Sequence, residues 1–121
     1  MRPPLRLTTL RLADGAYVCT LAGELDVYSS DALRDELEAI AERDVPHLII
    51  DLIGVTFIDS AGLGLLLRTA ERLKAEGGEL VVVSDDPRAL RLFAITGSDR
   101  MFRVERRLAT AVDGLDRQLF A

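Results

Sequence analysis

Residues 48–73 restrict what this chain can fold into more than any other stretch. Leu48-Ile49-Ile50-Asp51-Leu52 is a nearly continuous apolar run, the pattern of a strand covered on both faces, as in parallel sheets. After a short linker, residues 53–58, the chain reads Asp59-Ser60-Ala61-Gly62-Leu63-Gly64, and Leu63, Leu66, Leu67, Ala70 and Leu73 then recur at helical spacing. A doubly covered strand feeding directly into an amphipathic helix is the first half of a strand–helix–strand crossover. It commits the chain to an α/β fold with right-handed connections.

The remaining segments fit that frame. Residues 5–12 alternate, with Leu5 and Leu7 in one phase and Leu10 and Leu12 in the other, which predicts a strand with a bulge at Thr8-Thr9. Asp14-Gly15 predicts a hairpin turn into a second strand, residues 16–22, ended by Gly23. Ser29 or Ser30 is placed to cap a helix running through residue 42, with Leu33, Leu37, Ile40 and Ala41 on one face. Pro46 opens the way to the strand at residues 47–52. Gly77-Gly78 stops the helix that starts at Ser60, and residues 79–84 form the next strand. Asp86-Pro87 supplies a cap and first-turn proline for a short helix with Leu90, Phe93 and Ala94 inward, closed by Gly97. A last short strand is expected within residues 101–105, and a final helix buries Leu108, Ala111, Val112, Leu115 and Leu119. The order is β-β-α-β-α-β-α-β-α. Residues 1–121 therefore form one α/β domain, a four- to five-stranded mixed, mostly parallel sheet with about four helices, large enough for one core.

Composition removes several classes of function. No apolar run approaches the roughly 20 residues of a membrane span, and the start, Met-Arg-Pro-Pro-Leu, lacks a signal-peptide pattern, so the cytosol is the expected location. Cys19, the single cysteine, falls in a strand and reads as a small buried hydrophobe. Residues 24–59 hold ten acids against Arg34 and Arg43, a net −8, whereas residues 60–121 hold ten bases and nine acids. Much of that acidity is the solvated face of the helix at residues 31–44. An acidic segment and the absence of Trp argue against nucleic acid and anionic membranes, and suit a basic protein partner.

In such sheets the functional crevice lies beyond the carboxyl ends of the strands, where this order places Ser60, Asp26 and residues 84–86. A helix N-terminus collects free N–H groups and positive dipole, which accommodate phosphate. Pattern alone makes a serine there an N-cap. Gly62 and Gly64, however, cost about 1 kcal/mol each against alanine in a helix, and their missing side chains are expected to bare the backbone around Ser60 to another surface. Catalytic readings fail. Ile58 replaces the first glycine of a nucleophile elbow, and the only histidine, His47, opens the preceding strand at the far end from Ser60. One His and one Cys lack ligand spacing for a metal, and no P-loop occurs. The acidic pair and late lysine of an aspartate-phosphorylated receiver domain are missing too. No cofactor is called for, and the chain is expected not to be an enzyme.

With Gly23-Glu24-Leu25-Asp26 upstream and Asp59-Ser60-Ala61-Gly62-Leu63-Gly64 at the junction, the chain resembles the STAS domain of bacterial anti-sigma factor antagonists along nearly its whole length. The resemblance implies that Ser60 is phosphorylated by an anti-sigma factor that is an ATP-dependent serine kinase, and dephosphorylated by a metal-dependent (PPM-type) serine phosphatase. It implies that the unphosphorylated form binds the anti-sigma factor and releases the sigma factor. Asp26, Asp59, Ser60, Ala61, Gly62, Leu63 and Gly64 are then the partner-binding residues, on a monomer or weak dimer. Ala61 stands where a second Ser or Thr often follows, leaving Ser60 the only hydroxyl of the motif; Ile53 replaces a commonly small polar residue. STAS domains also serve as unphosphorylated interaction modules in signalling scaffolds and transport systems, and that alternative stays open here.

Overall fold

A computed structural model describes residues 4–12, 16–43 and 47–120. Its elements are β1 (Arg6–Arg11), β2 (Ala16–Leu25), α1 (Ser30–Ala41), β3 (His47–Ile58), α2 (Ser60–Ala75), β4 (Glu79–Val83), α3 (Pro87–Thr96), β5 (Arg103–Glu105) and α4 (Leu108–Phe120), with a 3-10 turn at Ser98–Arg100. The five strands lie in the order β1-β2-β3-β4-β5. β1 runs antiparallel to β2, and every other pair is parallel. The mixed, mostly parallel sheet expected from the element order is therefore the observed one.

Period-2 alternation divides the sheet between two cores. Tyr17, Cys19, Leu21, Leu48, Ile50, Leu80 and Val82 point to one face, which α1, α2 and α3 cover with Leu33, Leu37, Leu66, Leu73 and Phe93 among others. Ala16, Val18, Ile49, Val81 and Val83 point to the other face, which α4 covers with Ala111 and Leu115. Phe93 packs edge-to-face on Phe102, ring centroids 5.3 Å apart at 89°, the geometry that aromatic quadrupoles favour. The side chain of Leu119, also expected inward, lies outside the described ones, as do the Asp14-Gly15 turn and Pro46.

Three expectations are corrected. β1 pairs with β2 in unbroken register from Arg6↔Ala22 to Arg11↔Tyr17, so the phase change at Thr8-Thr9 is no bulge. Gly23 does not end β2, which continues to Leu25. Nor does β3 stop at Leu52: residues 53–58, read as a linker, remain strand to Ile58. Thr20 pairs with Asp51 but Ala22 with Gly54, and Gly23 pairs with Val55 but Glu24 with Phe57, so β3 carries an extra residue at each step. The Asp51 carboxylate accepts the Ile53 N–H at 2.9 Å and turns the chain at the first irregularity. Each insertion shifts the facing by one residue, which keeps Leu52 and Val55 both buried. Gly54 is required by space: a Cβ there would sit 2.9 Å from the Leu21 carbonyl oxygen.

Candidate functional site

The long β2 and β3 carry their carboxyl ends to one edge, where α2 begins. Asp59, extended at ψ −174, is the N-cap of α2. Its Oδ1 accepts the N–H groups of Ala61 and Gly62, each at 3.0 Å. Its Oδ2 accepts the N–H of Val27 at 3.1 Å. Asp59 also donates its own N–H to the Leu25 carbonyl at 3.2 Å. One residue thus closes the helix, the strand end and the β2–α1 loop on each other.

Ser60 is therefore the first helical residue and not the cap, which corrects the capping role that pattern alone allowed it. It is exposed, and its hydroxyl takes part in no hydrogen bond among the described residues. The hydroxyl stands at the positive end of a helix of 16 residues.

The other residues singled out in the sequence divide by burial. Asp26 is only 3% exposed. Its Oδ1 accepts from Tyr28 N at 3.0 Å and Ser29 N at 3.1 Å, and Ser29 Oγ donates to the Glu24 carbonyl at 2.7 Å. Asp26 shapes the loop, and its carboxylate is turned inward. Gly62 is buried, because α2 crosses so close to β2 that a Cβ would lie 2.7 Å from the Leu25 carbonyl oxygen and 2.8 Å from its Cγ. The expectation that Gly62 bares backbone to another molecule is thus replaced by one that it admits the end of β2. Leu63 faces the core, in the cluster with Leu25 and Leu66. Ala61 and Gly64 are half-buried, and a Cβ on Gly64 would meet only the mobile end of Arg68, at 3.3 Å.

Sequence reasoning missed the apolar frame of the site. Val27 is 58% exposed, Tyr28 83% and Phe57 49%. Val27 is tied to Asp59, and Phe57 lies two residues before it. The signal was present in Val27-Tyr28, two apolar residues directly after Gly-Glu-Leu-Asp and before the serines. Beyond Phe57, on the α3 side, Asp86 caps α3 by accepting the Arg88 N–H at 2.9 Å and pairs with the Arg88 guanidinium at 3.2 Å. Those contacts hold the Asp86 carboxyl below the usual carboxylate range.

His47 opens β3 and Ser60 follows its other end. Twelve strand residues at about 3.3 Å each separate them by far more than hydrogen-bond reach. Among the described residues no three His, Cys, Asp or Glu side chains cluster as metal ligands, and no helix is long and apolar enough to cross a membrane. Burial pushes the Cys19 thiol up to about 11, with the hydrogen bond from Thr9 opposing and the charge of Glu36 adding to the effect. Such a thiol is structural.

An uncommitted hydroxyl thus opens a well-capped helix at the carboxyl edge of the sheet, with Val27, Tyr28 and Phe57 exposed on the segments that lead to it. The chain belongs to the STAS domain family, whose profile matches residues 8–111. An anti-sigma-B factor antagonist of Bacillus subtilis (strain 168) is 43% identical over 77 residues, which cover 64% of this chain and 70% of that protein. A solved anti-sigma factor antagonist from Mycobacterium paratuberculosis superposes with TM-score 0.83 at 31% identity, covering 94% of this chain and 97% of that one. The Bacillus cell fate determinant SpoIIAA, solved in its phosphorylated form, shares the fold with TM-score 0.73 at 23% identity, covering 91% and 99%. The chain is accordingly a regulatory binding protein and not an enzyme.

Proposed function

We propose that this protein is an anti-sigma factor antagonist whose unphosphorylated form binds an anti-sigma factor and frees the sigma factor, and that phosphorylation of Ser60 switches it off. The observation that carries this reading is the division of labour at the start of α2. Asp59 does all the capping, so the Ser60 hydroxyl is exposed and uncommitted. The anti-sigma factor is itself the ATP-dependent serine kinase, and a PPM-type phosphatase reverses the reaction. The partner rests on the apolar frame of Val27, Tyr28 and Phe57 and on the exposed Ser60 with the half-buried Asp59, Ala61 and Gly64 next to it. Asp26, Gly62 and Leu63 serve it from beneath by fixing the loop and the helix start.

Phosphate adds about −1.5 to −2 charges. The helix N-terminus accommodates that charge, favouring it by about 0.3–1 kcal/mol, so the fold tolerates it. The inhibitory effect is intermolecular, since bulk and charge appear in the middle of the docking surface, beside the Asp59 carboxylate. Incubation with the anti-sigma kinase and ATP, followed by peptide mapping, tests the assignment. Phosphate on Ser60 alone is expected; phosphate on Ser29, Ser30 or Ser84 with Ser60 bare would overturn it.

A further inference from the structure

Ser60, Gly64 and Arg68 stand at successive four-residue steps of α2, and residues so spaced follow one another along one side of a helix. A long helical side chain leans toward the N-terminus, over the turn before its own Cα. Arg68 does so: its Nη1 lies 3.3 Å from the point that a Cβ on Gly64 would occupy. By helix geometry that point is about 6 Å from the Ser60 Cβ. A side chain at position 64 would stand between the two groups, and glycine leaves the way open.

The Arg68 guanidinium is also uncommitted. Arg34, Arg68 and Arg72 line the groove between α1 and α2, together with one acid, Glu38. Arg34 donates to the Asp31 carboxylate at 2.6 Å, and Arg72 donates to the Leu37 carbonyl at 3.2 Å. Arg68 is exposed and makes no hydrogen bond or ion pair, with Glu38 or with any other of the described residues. A guanidinium fork with its donors free matches phosphate, whose oxygens it binds in pairs. We infer that Arg68 is the intramolecular ligand of a phosphate on Ser60, binding it across Gly64, a role that rests on the proposed phosphorylation of Ser60. The contact fixes the blocking group over the helix face where the partner docks.

Phosphoserine installed at position 60 of the full chain during synthesis, by stop-codon suppression, tests the contact without any kinase. Its phosphorus resonance is titrated in the otherwise wild-type chain and in Arg68→Gln, Arg68→Lys and Gly64→Leu. A nearby cation favours the dianion, so the midpoint should be lower in wild type than in Arg68→Gln, by about half a pH unit; free phosphoserine titrates near pH 6, roughly. Asp59 beside Ser60, and Arg34, Glu38 and Arg72 in the groove, act on the phosphate in every protein compared and cancel from the difference. Arg68→Lys keeps the charge without the fork and should fall between. Gly64→Leu fills the gap and should match Arg68→Gln. The Arg68 Nε–H resonance should move between the unphosphorylated and phosphorylated chains, a measurement independent of any variant. Equal midpoints in all four proteins, with that resonance unmoved, overturn the contact. Unchanged midpoints with tenfold weaker binding of unphosphorylated Arg68→Gln to the anti-sigma kinase would assign Arg68 to the partner and overturn it too. The two readings fail separately. Peptide mapping that leaves Ser60 bare removes the kinase reaction and not the contact with installed phosphate, whereas equal midpoints in a chain the kinase does phosphorylate on Ser60 remove only the contact.

Discussion

Asp59 Oδ2 accepts the backbone N–H of Val27 at 3.1 Å, joining two loops 32 residues apart, while its Oδ1 caps α2. The contact holds the backbone of the exposed Val27 against Asp59, the residue before Ser60. Replacing Asp59 with Ala removes the cap and the tether together. A cap alone is worth about 0.5–2 kcal/mol, so Asp59→Ala should lose at least about 1 kcal/mol in denaturant unfolding. Asp59→Asn keeps a capping oxygen but turns an amide toward the Val27 N–H, and should fall between wild type and Ala. Equal stability of all three would mean that the bonds contribute nothing net.

Gly62 and Gly64 should respond oppositely to alanine, although both lie in the first turn of α2. Each gains about 1 kcal/mol of intrinsic helix preference. At Gly62 the new methyl meets the Leu25 carbonyl at 2.7 Å, and overpacking of that kind costs about 1–3 kcal/mol or more. Gly62→Ala should therefore be destabilised. Gly64→Ala, which displaces only the end of Arg68, should be neutral or stabilised. Thermal melts of the pair decide the matter.

Ser60→Ala should leave stability within about 0.5 kcal/mol of wild type, as for a surface change, because Asp59 carries the cap. It should remain a permanently active antagonist. Ser60→Asp should fold as well, yet bind the anti-sigma kinase at least tenfold more weakly, a loss of about 1.4 kcal/mol. The phosphoprotein should be weaker still, since phosphate exceeds aspartate in charge and bulk. Four equal affinities by calorimetry would falsify the switch.

The Cys19 thiol, with no exposed surface, should react with a thiol reagent only after unfolding. Burial raises its pKa in the folded chain to about 11, above the ordinary thiol value of 9.0. Over that interval the folded chain binds the proton that the unfolded chain releases, so stability falls as pH rises from about 9 toward 11. Cys19→Ala should start less stable but show a shallower alkaline loss. Parallel slopes for the two proteins would show that Cys19 carries none of the pH dependence.

Local periodicity settled a good deal. The apolar run at residues 48–52, the helical spacing of Leu63, Leu66, Ala70 and Leu73, and the Asp86-Pro87 and Gly97 signals each reflect a chain segment's own preferences, and each names an element that exists. Element order then put Ser60 at the carboxyl edge of a mostly parallel sheet, because crossover chirality leaves few alternatives. The phase change at Thr8-Thr9 shows the limit of this kind of reading: a shift in alternation looks the same in sequence whether or not a bulge causes it.

What the tertiary structure alone decided depends on contacts between distant segments. The full length of β3 was hidden because its two extra residues break the alternation that marks a strand, and only pairing with β2 holds them in the sheet. Asp59 and Ser60 are both good capping residues in adjacent positions; the cap fell to Asp59, whose other oxygen also reaches Val27. Gly62 looked like bared backbone and proved to be the point where α2 presses on Leu25. Which elements form, and where the serine stands among them, follow from short-range periodicity. Which side chains remain free around that serine was decided by packing, because burial depends on what a distant part of the chain brings up against each residue.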